Sequence, residues 1–169
     1  VLAGSCSEAT RGQIAAAQAA GLPSMALDLE AVLTGRQTAA SLAAWAVAQH
    51  GIPLIYSSLA PQDLQAVQSR FGQHAAGALV EQTLAEVARL LRDAGFNRFV
   101  VAGGETSGAV VAALAVTTLE IGPEIAPGVP WTRSITGPDL ALALKSGNFG
   151  GPDFFVTAWD LLTTEQPDV

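Results

Sequence analysis

Apolar and polar positions in this chain follow a repeating pattern of short apolar runs and longer segments with helical spacing. Four runs are typical of buried strands, and they lie at residues 1–4, 24–29, 53–58 and 98–102. Each is followed by a segment with apolar residues three or four positions apart, of which 74–93 is the clearest. This alternation predicts an α/β fold with three layers, a mostly parallel sheet between helices, in a single domain over residues 1–169.

The last third of the chain has a different pattern. Three prolines between residues 121 and 131 favour extended backbone, which predicts an ordered loop or an edge segment. Residues 140–144 fit either a fifth strand or a short helix, and residues 154–162 are predicted to form a closing helix. A loop with three glycines, residues 145–151, separates these two segments.

Composition and charge narrow the functional classes. Half of the residues are hydrophobic and 14% are charged, which excludes a disordered or coiled-coil chain. The net charge of −7 argues against nucleic acid or an anionic membrane as a partner. The apolar stretches are interrupted before the roughly 20 residues that a membrane span needs. A single cysteine, Cys6, cannot form an internal disulfide, so a cytoplasmic location is expected.

The best candidate site is a glycine-rich turn between a predicted strand and a predicted helix. Its residues are Gly103, Gly104, Glu105, Thr106, Ser107 and Gly108. In open α/β sheets such a turn presents free N–H groups at a helix N-terminus, where phosphate binds. The spacing matches neither a Walker motif nor a dinucleotide motif, so an ordinary tight turn with a Thr or Ser cap is an equal alternative.

A second glycine-rich turn contains the chain's only lysine. It consists of Lys145, Ser146, Gly147, Asn148, Phe149, Gly150 and Gly151. Asparagine and glycine tolerate the backbone geometry that forms a nest of N–H groups for an anion, and Lys145 can add a point charge. A surface turn with Phe149 packed inward is the alternative.

The turn after the first strand, Gly4-Ser5-Cys6-Ser7, is a third candidate together with Thr10 and Gln13. Ser7 is more readily explained as the N-cap of the following helix than as a ligand contact. All three turns follow strands, and parallel strands end at one edge of their sheet, so the turns are expected to converge. Convergence would favour a binding site more than any one turn does.

Acidic and aromatic residues offer weaker candidates. Glu105, Glu124 and Asp153 could bind Mg²⁺ beside phosphates, since that ion commonly uses one or two carboxylates with water. Such acids more often stay solvated or cap helices. Trp131 could stack on a base, or it could belong to a segment that covers the sheet.

Four segments together resemble the nucleotide-binding C-terminal domain of the four-carbon acid sugar kinases. They are 1–7 with Thr10 and Gln13, 103–108, 122–131, and 144–150 with Asp153-Phe154-Phe155. The resemblance covers nearly the whole chain. It implies a two-domain kinase, in which an N-terminal sugar-binding domain, absent from this chain, carries the acid-sugar site and the catalytic groups.

The resemblance also implies that this domain binds ATP with Mg²⁺ and that the three turns hold the nucleotide phosphates. The implied residues are Ser5, Ser7, Gly103, Gly104, Glu105, Thr106, Ser107, Gly108, Lys145, Ser146, Gly147, Asn148 and Gly150. The kinase would transfer the γ-phosphoryl group of ATP to a hydroxyl of a four-carbon acid sugar. The expected partners are ATP or ADP and, through the other domain, the acid sugar, and the isolated domain is expected to bind nucleotide without turnover.

Two other functions stay open on the residues alone. The same helix-terminal anion sites could serve a non-catalytic α/β module that senses phosphosugars or nucleotides. The second alternative is a structural or oligomerisation domain that binds no ligand. The high apolar content leaves homodimer formation open.

Overall fold

The computed structural model describes residues 1–57 and 73–163, and its strands form one sheet. The strands are β1 (Leu2–Ala3), β2 (Ser24–Ala26), β3 (Leu54–Tyr56), β4 (Arg98–Ala102), β5 (Leu119–Ala126), β6 (Val129–Ser134) and β7 (Ala141–Lys145). Their order is β2-β3-β1-β4-β7-β6-β5. The first five in this order are parallel, and β6 and β5 continue the sheet as an antiparallel hairpin. The prediction of a mostly parallel sheet is confirmed.

Helices cover both faces of the sheet. They are α1 (Glu8–Ala19), α2 (Leu29–Leu33), α3 (Ala39–Val47), α4 (Gln73–Asp93), α5 (Gly104–Ala113), α6 (Phe154–Thr157) and α7 (Asp160–Thr163). Helices α2 to α5 share one buried cluster with Leu2 and Val101, whereas α1 and α6 share the other with Ala3 and Val100. Successive strand residues thus face opposite layers, as a pleated strand requires, and the three-layer prediction is confirmed. None of the described helices is long and apolar enough to cross a membrane.

The central strands are apolar because both of their faces are buried. In β4, four buried residues follow the exposed Arg98, and β1 is buried throughout. Strands β1, β4 and β7 are neighbours and run in the same direction. Their carboxyl ends therefore lie side by side at one edge of the sheet, and the loops that leave them must meet there.

Several segments differ in detail from the sequence-based expectations. The proline-rich segment forms most of the β5–β6 hairpin, so it lies at the sheet edge, and residues 141–145 form a strand rather than a helix. The predicted closing helix is divided into the short helices α6 and α7. Helix α2 was not predicted; it begins where Asp28 accepts a hydrogen bond from the N–H of Ala31 at 3.1 Å. Ser58, the last residue of the predicted third strand, lies outside the described residues.

Trp131 joins the edge hairpin to the layer that contains α6. Its side chain is 2% exposed, its indole N–H donates to the carbonyl of Ala158 at 2.7 Å, and its ring lies 5.6 Å from that of Trp159. We expect Trp131→Ala to lower the free energy of unfolding by about 3–5 kcal/mol, because a large buried side chain and a hydrogen bond are lost. Urea denaturation with an unchanged m-value would measure this loss.

The matched control for that variant is Ile121→Ala, on the neighbouring strand β5. Ile121 is 77% exposed, so its truncation should change the free energy of unfolding by no more than about 0.5 kcal/mol. A loss of less than about 1 kcal/mol for Trp131→Ala would show that the hairpin contributes little to the core.

Candidate functional site

The three candidate turns meet at the carboxyl edge of the sheet, as their positions after strands predicted. The N–H groups of Gly4 and Ser5 donate to the carbonyl of Ala102 at 3.0 and 3.1 Å. The N–H of Gly103 donates to the carbonyl of Lys145 at 2.9 Å. Backbone hydrogen bonds therefore join the turn after β1 to β4, and the turn after β4 to β7.

Glycine is required where the turn after β1 and the turn after β4 approach each other. Thr106, which is buried, fills the space beside Gly4 and Gly103, and a Cβ on either glycine would overlap its hydroxyl oxygen. Gly103 also has a φ of 124°, which L side chains rarely adopt. The chain can pass this closely only because both positions lack a side chain.

In the turn after β7, the carbonyl oxygen of Gly147 accepts three hydrogen bonds. The donors are Ser7 Oγ at 2.7 Å, Thr10 Oγ1 at 2.9 Å and Lys145 Nζ at 3.1 Å. Ser7 is also the N-cap of α1, since its hydroxyl accepts from the N–H of Thr10 at 3.2 Å. The N-terminus of α1 is thus held to the glycine-rich turn after β7 through this one carbonyl oxygen.

Gln13, one turn further along α1, holds the rest of this loop. Its side chain is 1% exposed, and Nε2 donates to the carbonyls of Phe149, Gly150 and Gly151 at 3.0, 3.0 and 2.9 Å. Its Oε1 is buried and has no hydrogen-bond partner among the described residues. A carboxamide with two donor hydrogens can follow a curved backbone in this way, so Gln13 shapes the loop.

Lys145 lies beneath the turn rather than on its surface. The side chain is 1% exposed, and Nζ contacts Thr10 Oγ1 at 3.2 Å and the carbonyls of Ser146 and Gly147 at 3.2 and 3.1 Å. It also lies 5.8 Å from the centre of the Phe155 ring. Burial lowers the pKa of Lys145 from 10.5 to about 8, because the charged form loses its water.

A cleft of about 340 Å³ opens beside the three turns. The three turns form one wall, in which four glycines lie among residues with side chains: Gly4, Ser5, Cys6, Gly103, Gly104, Glu105, Thr106 and Gly147. Helix α5 begins in this wall, and its N-cap residue, Gly103, provides no side chain to cap it. The first N–H groups of α5 therefore lack helical partners, and the helix dipole gives this end a positive partial charge.

The opposite wall of the cleft includes residues that the sequence did not single out. They are Ser57, at the carboxyl end of β3, and Ala76, Gly77, Val80 and Glu81 on α4. Two signals could have found them: Ser57 also ends a strand, and a glycine within a helical pattern often marks a close approach. Both signals are weak without knowledge of which elements are neighbours.

Two carboxylates face each other at the cleft. Burial raises the pKa of Glu81, and the nearby charge of Glu105 and a hydrogen bond with it raise that pKa further. Of the three carboxylates proposed for Mg²⁺, only Glu105 lines the cleft, and Asp153 does not. Within residues 1–57 and 73–163 no three acidic, histidine or cysteine side chains form a metal-binding group, so any cation here would need ligands besides protein carboxylates.

The cleft contains only part of the implied nucleotide-binding set. Ser5, Gly103, Gly104, Glu105, Thr106 and Gly147 line it. The rest of the set does not, and comprises Ser7, Ser107, Gly108, Lys145, Ser146, Asn148 and Gly150. Ser7 and Lys145 support the turn after β7 by donating to the carbonyl of Gly147. Gly150 has a φ of 82°, and its lack of a side chain leaves room for the ring of Phe154.

The other two candidates of the proline-rich segment have structural roles. Trp131 is buried in the core and offers no surface to a base. Glu124 accepts a hydrogen bond from the N–H of Gly128 at 2.7 Å, which closes the β5–β6 turn. Neither residue lines the cleft.

Comparison with known proteins matches this chain to one family. The sequence pattern of the nucleotide-binding C-terminal domain matches residues 1–155. A 3-oxo-tetronate kinase of Pseudomonas fluorescens is 54% identical over 166 residues, and one of Brucella melitensis is 48% identical over 168 residues. Each alignment covers 98% of this chain but only 39% and 38% of the relative. The chain thus spans less than two fifths of the length of these relatives.

A solved structure agrees with the sequence comparison. The crystal structure of a Haemophilus influenzae protein superimposes with a TM-score of 0.88 at 38% sequence identity, covering 95% of this chain and 39% of that one. Fold and sequence therefore match over the same region. The chain belongs to the nucleotide-binding C-terminal domains of the four-carbon acid sugar kinase family.

Proposed function

We propose that this domain binds ATP in the cleft, with the phosphates at the N-terminus of α5. The observation that supports this most is the uncapped start of α5 in a wall formed by three glycine-containing turns. Free N–H groups and a positive helix end favour an anion, and the missing side chains let phosphate oxygens approach the backbone. A net charge of −7 makes such a local site necessary for a polyanionic ligand.

The proposed nucleotide site has a contact layer and a supporting layer. The contact layer consists of the members of the implied set that line the cleft: Ser5, Gly103, Gly104, Glu105, Thr106 and Gly147. Ser7 and Lys145 form the supporting layer, because neither lines the cleft and both donate to the carbonyl of Gly147. This division predicts different consequences when residues of the two layers are replaced.

We further propose that the whole protein is an ATP-dependent kinase that phosphorylates a hydroxyl of a four-carbon acid sugar. The names of the relatives support this proposal, since both are 3-oxo-tetronate kinases. Phosphoryl transfer depends chiefly on alignment and on neutralising the charge of the transferred group. We infer that this domain provides the nucleotide half of that arrangement, and that the acid-sugar site and the catalytic base belong to a second, N-terminal domain.

Magnesium fits the acidic side of the cleft. Burial, together with the nearby charge of Glu105, raises the pKa of Glu81, and a divalent cation would offset the repulsion between the two carboxylates. Mg²⁺ usually binds one or two carboxylates together with water and phosphate oxygens. Glu105, with Glu81 beside it, would hold this ion, which neutralises phosphate charge when bound.

The first test of this function is nucleotide binding. ADP or Mg²⁺-ATP at about 100 times its Kd should raise the Tm of the chain by about 5–10 °C, from a stabilisation of about 2.7 kcal/mol. Gly104→Leu should abolish the shift while preserving the fold, because a Cβ at Gly104 meets nothing within 4 Å and its side chain would project into the cleft. Differential scanning fluorimetry measures both effects.

The matched control is Gly12→Leu on α1, where a Cβ also meets nothing within 4 Å but the position does not line the cleft. This variant should keep the full nucleotide shift. A shift with sugar phosphates alone would instead favour the phosphosugar-sensing module. The absence of any shift in a cooperatively folding chain would contradict the ATP site.

The second test is turnover. The 169-residue chain should release no ADP from ATP in the presence of 3-oxo-tetronate, because the acceptor site and base are proposed to lie on another domain. A chain that also carries the remaining length of the relatives should release ADP in proportion to the acid sugar consumed. A coupled ADP assay distinguishes these results, and phosphorylation by the 169-residue chain alone would refute the two-domain division.

A further inference from the structure

The buried Lys145 uses all of its hydrogen-bond capacity inside the protein. A protonated lysine has three donor hydrogens, and Nζ faces three acceptors, namely Thr10 Oγ1 and the carbonyls of Ser146 and Gly147. No donor remains for a phosphate oxygen in this arrangement. The side chain is directed at the turn itself, so its effect on a ligand must pass through the backbone of that turn.

The geometry of the Gly147–Asn148 peptide shows what the lysine controls. In a trans peptide the carbonyl and the next N–H point in opposite directions, and the described residues contain no cis bond. The Gly147 carbonyl accepts hydrogen bonds from Lys145, Ser7 and Thr10. The N–H of Asn148, on the other side of the same peptide, therefore points away from these three side chains. That N–H has no acceptor in the described part of the chain.

The position of Lys145 is costly to the folded state. Within the described ranges no carboxylate forms an ion pair with it, and burial disfavours its charge. The groups around its Nζ are the hydroxyl of Thr10 on α1, the ring of Phe155 on α6 and two carbonyls of its own loop. None of these groups titrates, so its protonation depends on burial alone.

We propose that Lys145 is a positioning residue of the nucleotide site. It orients the Gly147–Asn148 peptide, whose Gly147 residue lines the cleft, so that the N–H of the peptide, and not its carbonyl, is presented to the phosphates. This inference rests on the proposed ATP site. A reversed peptide would direct a carbonyl oxygen at the anion and repel it. Deprotonation leaves two donors for three acceptors, so the hold on the carbonyl weakens as pH rises through the pKa of about 8.

The test is ADP binding by isothermal titration calorimetry between pH 7 and 9.5, with Lys145→Met, Lys145→Arg and the exposed control Arg36→Met. The wild-type chain and the control should bind ADP more weakly above pH 8. Lys145→Met should weaken binding at pH 7 by about tenfold or more, because a charge-assisted bond to the carbonyl is lost, and should show no such change with pH. Lys145→Arg keeps its charge, so its Kd should not vary with pH.

The same variants separate positioning from structural support. The folded state lowers the pKa of Lys145, so the unfolded chain holds more protons between pH 8 and 10, and stability should rise over that range. The Tm of Lys145→Met should therefore be no lower than that of the wild type at pH 7, and the difference should narrow toward pH 10. A purely structural lysine would lower Tm and leave the Kd of the folded chain unchanged.

Each outcome decides the inference. Equal ADP affinity in the wild type and in Lys145→Met at pH 7 overturns it while leaving the ATP site intact. Failure of the folded wild type to bind any nucleotide removes the proposed function and the inference with it. If Lys145→Met does not fold, the pH profile of the wild type and of Lys145→Arg decides instead. A wild-type Kd for ADP that stays the same between pH 7 and 9.5, or one that changes as much in Lys145→Arg, would overturn the inference.

Discussion

The carbonyl oxygen of Gly147 is the point on which the arrangement of the site depends. Its three hydrogen bonds connect the N-cap of α1, the first turn of that helix and the end of β7. Backbone bonds from the turns after β1 and β4 reach the neighbouring strands at the same edge. Loops this closely joined cannot move separately, so the cleft beside them has a fixed wall before any ligand arrives, and preorganisation of this kind lowers the entropic cost of binding.

Much of this fold could be predicted because local pattern and tertiary position agree in the centre of the sheet. Strand β4 is apolar at four consecutive positions because it is buried on both faces, and the same run identifies it in the sequence. Helix α2 has only five residues, too few for a periodic pattern, and its Asp28 cap resembles an ordinary turn. The division of the closing helix at residues 158–159 likewise left no clear signal in composition.

The turns of the site could be predicted, but the roles of their residues could not. Gly103 and Gly147 were identified because they follow strands, a property of sequence order. The burial of Lys145 depends on packing against α1, far earlier in the chain, and against Phe155, which follows it. The sequence does not show these contacts, and a lysine in a glycine-rich loop is typical of a direct contact with phosphate. The role of Glu81 could not be predicted from the sequence, because its position near Glu105 follows only from the packing of α4.

Four glycines lie in the wall of the cleft that the three turns form, and this has an evolutionary consequence. Glycines leave few side chains in that wall for a point mutation to alter, whereas adding one at Gly4 or Gly103 meets Thr106 at once. The proposed nucleotide surface is therefore resistant to gradual modification. In the proposed kinase, new acceptor specificities would have to come from changes elsewhere in the protein, so that one unaltered domain could serve a lineage of enzymes with different acceptors.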